Sequence, residues 1–377
     1  MQTSVCDAVT QTEVRTPFLK MGKLFRPDSL AKIKKGENMF TQALSKIISK
    51  KDLTNEEISK VMLEIFSGSL TDAQIGAFMA ALATKGETFE ELAGAAGAMR
   101  QKAARIQAVA PVIVDTCGTG GDGAQTFNIS TTSAFVVAGA GVTVAKHGNR
   151  SISSQCGSAD VLESLGVKLD TEPEVAEEAV NEINIGFLFA PLFHGAMKYA
   201  AGPRKELGVR SIFNMLGPLT NPAAANCQVV GVFAPELTEM FANALNLLGV
   251  KRAFVVHGHD GLDEISVCAS TRISELNDKT VRTYDISPEH YFEDRARPEE
   301  MAGGHPQENA LITKNILNGE DRGAKKNVVA INAGAALVAA QKASDLAEGI
   351  KLANDIIESG RAIKKLEELI EFTNTNG

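Results

Sequence analysis

Four glycines, Gly118, Gly120, Gly121 and Gly123, fall within six residues of one another. An apolar run at residues 111–115 precedes them and reads as a buried strand ending at Asp115, while Asn128, Ser130 and Thr131 follow and open a helical segment. Glycine lets the backbone approach a bound group closely and turn several N–H groups inward. A helix start adds unpaired N–H donors and partial positive charge. Strand, glycine turn and helix start together suit an anion, and the hydroxyl and amide side chains in the turn suit a phosphate in particular. Gly118-Thr-Gly-Gly-Asp-Gly123 also satisfies the dinucleotide fingerprint, which calls for an acidic residue at the end of the next strand to hold a ribose hydroxyl. Here that position reads Lys146-His147-Gly148-Asn149-Arg150. The basic stretch contradicts a nicotinamide dinucleotide and favours a second phosphate contact. No Gly-Lys-Ser/Thr follows the glycines, so the turn is not a P-loop.

On either side of this turn the chain changes texture. Three capping boxes, Thr54 with Glu57, Thr71 with Gln74 and Thr88 with Glu91, start successive helices over residues 39–107. Ile58, Val61, Met62, Ile65 and Phe66 share one face of the first, and Gly86 is placed to end the second as a left-handed cap. From residue 111 onward short apolar runs at 111–115, 142–146, 185–190, 228–233, 253–257 and 264–269 read as strands. They alternate with helical segments at 131–139, 159–165, 173–181 and 235–248, and three more helices lie between about 326 and 372. The expected fold class is α/β: a small all-helical domain plus a large α/β domain whose central, mostly parallel sheet is flanked by helices. The expected boundaries are an extension at 1–38, a helical domain at 39–107 completed by about 192–222, and the large domain at 108–191 and 223–377.

A formal net charge of -8 lacks the basic footprint of a nucleic-acid binder, and a basic run at 20–35 is too short to supply one. Five cysteines, Cys6, Cys117, Cys156, Cys227 and Cys268, are odd in number and not at metal-ligand spacing, which suggests free thiols in a reducing compartment. The chain has no apolar run near the roughly 20 residues of a membrane span. Its first 40 residues lack the apolar block of a signal peptide. A cytoplasmic protein is expected.

Five blocks in series carry a family resemblance. They are Gly118-Thr-Gly-Gly-Asp122 with Thr126-Phe-Asn-Ile-Ser-Thr131; Lys146-His-Gly-Asn-Arg150; Phe189-Ala-Pro191 with His194; Arg204 to Asn221; and His257-Gly-His-Asp-Gly-Leu-Asp-Glu-Ile-Ser266. From about residue 40 to its end the chain resembles the anthranilate phosphoribosyltransferases. The resemblance implies transfer of the phosphoribosyl group of 5-phosphoribosyl 1-pyrophosphate to the amine of anthranilate, a step of tryptophan biosynthesis. It implies that Gly118, Gly121, Asp122, Thr126, Asn128, Ile129, Ser130, Thr131, Lys146 and Ser158 hold phosphoribosyl pyrophosphate. The loop bearing His147, Gly148, Asn149, Arg150, Ser151, Ser153 and Ser154 would wrap it. Ser130, Asp263 and Glu264 would serve two Mg2+ ions, Gly118, Asn149 and Arg204 would meet anthranilate, and a homodimer would join through the helical domain. The sequence departs from the family pattern at Gly195, where Pro is common, and at Ala201-Gly-Pro203 before Arg204, both near the expected anthranilate entrance.

The chemistry is consistent with these residue types. Displacing pyrophosphate from an anomeric carbon passes through an oxocarbenium-like state, so the main burden is neutralising the leaving group. A helix terminus contributes at most about 2 kcal/mol, whereas a divalent ion contributes several. Mg2+ on adjacent acids therefore outweighs the glycine turn, which mainly positions. A guanidinium at Arg204 can fork onto a flat carboxylate, with Asn149 orienting it by hydrogen bonding. An aniline-type amine is neutral at pH 7, so a strong base is not required and His147 reads as a packed residue behind the loop. His257 and His259 lack a third ligand and read as structural. Two rivals remain. A pyrimidine-nucleoside phosphorylase would lack the paired acids, and a non-catalytic nucleic-acid-binding paralogue would be basic.

Overall fold

The computed structural model describes residues 38–151 and 155–377. The extension and its basic run, Cys6, and the site candidates Ser153 and Ser154 lie outside the described residues. Four helices come first: α1 (Met39–Ile48), α2 (Asn55–Phe66), α3 (Asp72–Lys85) and α4 (Phe89–Lys102). All three capping boxes form, with each Thr hydroxyl accepting the third-residue N–H and the Glu or Gln reaching back. Gly86 ends α3 at φ +88° with an extended ψ of 132°, outside the left-handed helical well. The buried face of α2 is Ile58, Val61, Met62, Ile65 and Phe66. Glu91 ties this bundle together from within: fully buried, it accepts from the Leu53 and Thr88 N–H groups and from Lys85 Nζ.

The chain then alternates: β1 (Ile113–Gly118), α5 (Ile129–Gly139), β2 (Thr143–Gly148), α6 (Ser158–Leu165), α7 (Pro173–Glu182), β3 (Ile185–Phe189), α8 (Ala190–Phe193) and α9 (Lys198–Leu207). Helix α9 packs on α3 and α2, so the segment after β3 returns to the helical bundle. Next come β4 (Cys227–Gly231), α10 (Leu237–Leu247), β5 (Arg252–Gly258), β6 (Thr271–Asn277) and β7 (Thr280–Ile286). Helices α11 (Pro306–Leu317), α12 (Ala324–Ala339), α13 (Leu346–Glu358) and α14 (Arg361–Asn376) close the chain. The sheet order is β3-β2-β1-β4-β5-β6-β7, with β1 to β5 parallel and β6 and β7 antiparallel. Apolar side chains of α5 and α12 cover one side of this sheet, and α13 packs against these helices. The mostly parallel, helix-flanked sheet expected from the sequence is present.

One strand is corrected. Residues 264–269 form an irregular loop, and the antiparallel pair β6 and β7 lies beyond it. In the loop, Ser266 N–H donates to Thr271 Oγ1 and Cys268 N–H to Ser266 Oγ, so side chains satisfy backbone that a ladder would otherwise pair. Cys117, Cys156, Cys227 and Cys268 are free thiols. Among the described residues no helix is long and apolar enough to cross a membrane.

Candidate active site

From β1 the chain winds outward through β2 and β3, then returns to lay β4 on the other side of β1. Parallel sheets bind ligands where neighbouring strands leave in opposite directions, beyond their carboxyl ends. Here that point is the register pair Gly118 and Gly231. A Cβ on Gly118 would stand 2.6 Å from Asp263 Oδ2, and one on Gly231 would overlap the Asp263 carbonyl oxygen. The two strand-end glycines therefore admit Asp263 into the crevice.

Above the crevice lies a cavity of about 900 Å³. Its wall includes Gly118, Gly121, Asp122, Asn128, Ser130, Thr131, Lys146, His147, Gly148, Asn149, Arg150, Ser151, Ser158, Arg204, Asp263 and Glu264. Two candidates stand apart from it. Ile129 buries its side chain in the core, and Thr126 bridges to Ala302. The glycine turn adopts the positive φ that its composition permits, at +64° for Gly120, +72° for Gly121 and +75° for Gly123. Gly120 N–H donates to Asp263 Oδ2 at 2.9 Å, and Ser130 N–H, in the first turn of α5, donates to Glu264 Oε1 at 3.0 Å. The turn, the helix start and the acid pair thus converge on one cleft.

Charge is unbalanced there. Burial, with Asp122 beside it, pushes Asp263 up to about 7; burial, with Asp263 beside it, pushes Glu264 up to about 8. Mutually repelling carboxylates, Glu264 buried and Asp263 half-buried, are groups a cation would relieve. Among the described residues no three His, Cys, Asp or Glu side chains form a ready metal cage. The adjacent carboxylates of Asp263 and Glu264 suit a hard ion such as Mg2+, which takes one or two carboxylates and completes its shell with substrate phosphates and water. Lys146, buried at the end of β2, donates to the Thr116 carbonyl and reaches Ser130 Oγ at 3.5 Å; burial lowers its pKa.

The other cationic groups differ in commitment. Arg150 is engaged by Glu163 and Asp160, both on α6, at 2.8–3.1 Å. Arg210, which the sequence did not single out, donates to the Gly121 carbonyl and lies 4.1 Å over the Phe233 ring. The Arg204 guanidinium stands 5.7 Å over the Phe213 ring, has no hydrogen-bond acceptor among the described residues, and has its pKa lowered by burial. A half-buried guanidinium without a counter-charge is a receptor for a carboxylate. Behind the loop His147 Nδ1 meets the Gly217 carbonyl at 3.1 Å, and its Nε2 meets His194 Nε2 at 3.2 Å. Burial, with His194 alongside, pushes His147 down to about 3, and burial pushes His194 down to about 4, so both rings are neutral.

With this geometry in place, comparison with known proteins is decisive. Residues 110–363 match the Glycosyl transferase family a/b domain, and residues 41–103 match its helical bundle domain. The anthranilate phosphoribosyltransferase of Desulfosudis oleivorans is 79% identical over 339 residues, 90% of this chain and 100% of that one. This chain belongs to the anthranilate phosphoribosyltransferase family. Among solved structures of that family, the Thermus thermophilus enzyme superposes with a TM-score of 0.84 at 43% identity, covering 88% of this chain and 99% of that one. The Saccharomyces cerevisiae enzyme in complex with PRPP and Mg superposes at 0.82 with 28% identity, over 90% and 99%.

The cleft is built from residues far apart in sequence, and several gave no local signal. Gly231 is a lone strand-end glycine, visible only through the register with Gly118. Arg210 and Phe233 meet through the return of the chain to the helical bundle. His194 was visible as part of a family block, but its pairing with His147 was not.

Proposed function

We propose that this chain transfers the phosphoribosyl group from 5-phosphoribosyl 1-pyrophosphate to the amine of anthranilate, releasing pyrophosphate and supplying a step of tryptophan biosynthesis. The observation that carries the reading is the hydrogen bond from the glycine turn to the acid pair, Gly120 N–H to Asp263 Oδ2. It joins a phosphate cradle and a cation site around one leaving diphosphate. Gly118, Gly121, Asp122, Asn128, Ser130, Thr131, Lys146 and Ser158 hold the phosphoribosyl pyrophosphate, with residues 147–151 beside it. Asp263, Glu264 and Ser130 hold Mg2+, two ions per subunit; when bound, the ions neutralise charge developing on the departing pyrophosphate. Arg204 forks onto the anthranilate carboxylate, and the Asn149 amide and the close backbone at Gly118 orient it. The amine arrives neutral. The neutral His147–His194 pair borders its path, and neither ring is a strong base.

Catalysis on this reading is positional and electrostatic. The paired acids disfavour a pyrimidine-nucleoside phosphorylase, and the net charge of -8 disfavours a nucleic-acid-binding paralogue. The same reading places the protein in the cytoplasm. It takes the helical bundle with its α9 return as one domain, the sheet with its helices as the other, and the bundle as a homodimer interface. The test is the loss of anthranilate fluorescence with and without phosphoribosyl pyrophosphate and Mg2+. Consumption that needs both is expected; consumption driven by ribose 1-phosphate, or none at all, would overturn the reading.

A further inference from the structure

We propose that Asn332 is a positioning residue for the reaction, acting through Ile265 to set the acid pair; the inference rests on the reading of Asp263 and Glu264 as cation-holding groups. The loop that bears these acids, between β5 and β6, carries no strand pairing. Ile265, next to Glu264, is fully buried. Its N–H donates to Asn332 Oδ1 at 2.9 Å, and its carbonyl accepts from Asn332 Nδ2 at 2.9 Å. One side-chain amide thus makes both bonds a neighbouring strand would make. Nδ2 also donates to the Val328 carbonyl at 2.8 Å, one turn earlier on α12. Both amide hydrogens and the amide oxygen are used, and a flipped amide would face two carbonyls with its oxygen.

Asn332 is 2% exposed on a helix whose other buried residues are Val, Ala, Ile, Gly and Leu. An amide buried in such surroundings is costly unless every polar atom is paired, and here all are spent on one residue of the acid loop and on the helix itself. Beyond Ile265 the grip continues outward: Glu264 receives the Ser130 N–H and Asp263 the Gly120 N–H. Asn332 therefore anchors the acids from the core side while the phosphate cradle anchors them from the cavity side. Without it, the Ile265 backbone seeks other partners and both carboxylates swing from their places.

The test uses Asn332→Ala and the isosteric Asn332→Asp, which keeps an acceptor for Ile265 N–H but sets a carboxylate oxygen against two carbonyls. Mn2+ binding in the presence of inorganic pyrophosphate is followed by electron paramagnetic resonance, without turnover. A weakening of about 10–100-fold is expected, the usual cost of losing a group that orients metal ligands. In steady-state assays, turnover returns in part at high Mg2+ while the KM for anthranilate holds. If circular dichroism shows Asn332→Ala unfolded, Asn332→Asp decides. A folded variant with wild-type Mn2+ affinity overturns the inference, as does one whose anthranilate KM rises in parallel. A wild type that fails to bind Mn2+ with pyrophosphate overturns the reading of the acids, and this inference with it; a binding wild type beside an unchanged variant overturns the inference alone.

Discussion

Replacing Gly231 by Ala adds one methyl group at the point where β1 and β4 part. The residue has no need of glycine's backbone freedom, since its φ is not among the positive values of the described residues. In a strand, Ala is ordinarily the better residue by about 0.5–1 kcal/mol. The cost comes from Asp263. The new Cβ would overlap the Asp263 carbonyl oxygen and stand 2.5 Å from its carbonyl carbon, against an ordinary carbon contact of about 3.5–4.0 Å. The Asp263 backbone must then withdraw by at least about 1 Å, and a misplacement of that size costs on the order of 100-fold in rate. At 1.36 kcal/mol per tenfold, this is about 2.7 kcal/mol of transition-state stabilisation. The assay is kcat/KM from anthranilate fluorescence at saturating Mg2+, with thermal melts to show that the fold persists. A folded Gly231→Ala protein within about threefold of wild-type kcat/KM would refute the claim that this glycine exists to seat Asp263.

Four further outcomes are expected. The double substitution Asp263→Asn, Glu264→Gln should abolish Mg2+-dependent turnover, and near-normal activity would remove the acids from the cation site. Arg204→Ala should raise the KM for anthranilate by about 10–100-fold, the scale of a lost charged hydrogen-bond partner of about 1.5–3 kcal/mol, while sparing that for phosphoribosyl pyrophosphate; equal loss for both would count against it. Between pH 6.5 and 8 the metal-free protein should melt lower as pH rises, because Asp263 and Glu264 are raised toward about 7 and about 8 and the folded state holds protons that the unfolded state has already released. The two buried histidines act oppositely around their unfolded value of 6.5, but most of their effect is complete by about pH 7, so the two acids dominate this window; a melting temperature that climbed across it would contradict the assignment. Glu91→Ala should cost about 1–3 kcal/mol in urea unfolding, because it leaves the buried Leu53 N–H without its acceptor and takes from the Lys85 ammonium one of its two carboxylates, Asp52 remaining; a loss under about 0.5 kcal/mol would show that Glu91 is not the bundle's internal tie.

What the sequence disclosed, and what it hid, follows from where each cause resides. The glycine turn and the capping boxes carry their reasons within a few residues, so their forms were legible. Residues 264–269 misled because Ile265 and Val267 give the apolar rhythm of a strand while their loop is braced by side chains, Asn332, Thr271 and Ser266. The true hairpin that follows turns at Asp278 and Lys279, both at positive φ without a glycine, so the usual Asn-Gly signal of such turns was absent. Arg210 on the glycine turn, Gly231 under Asp263 and Asn332 behind Ile265 each act across long stretches of chain, and no local pattern announces them.

The bond between Gly120 and Asp263 spans 143 residues. A growing chain therefore exposes its glycine turn long before Asp263 and Glu264 leave the ribosome. Until β4 and β5 lie beside β1, the turn lacks the acid pair that faces it in the folded protein.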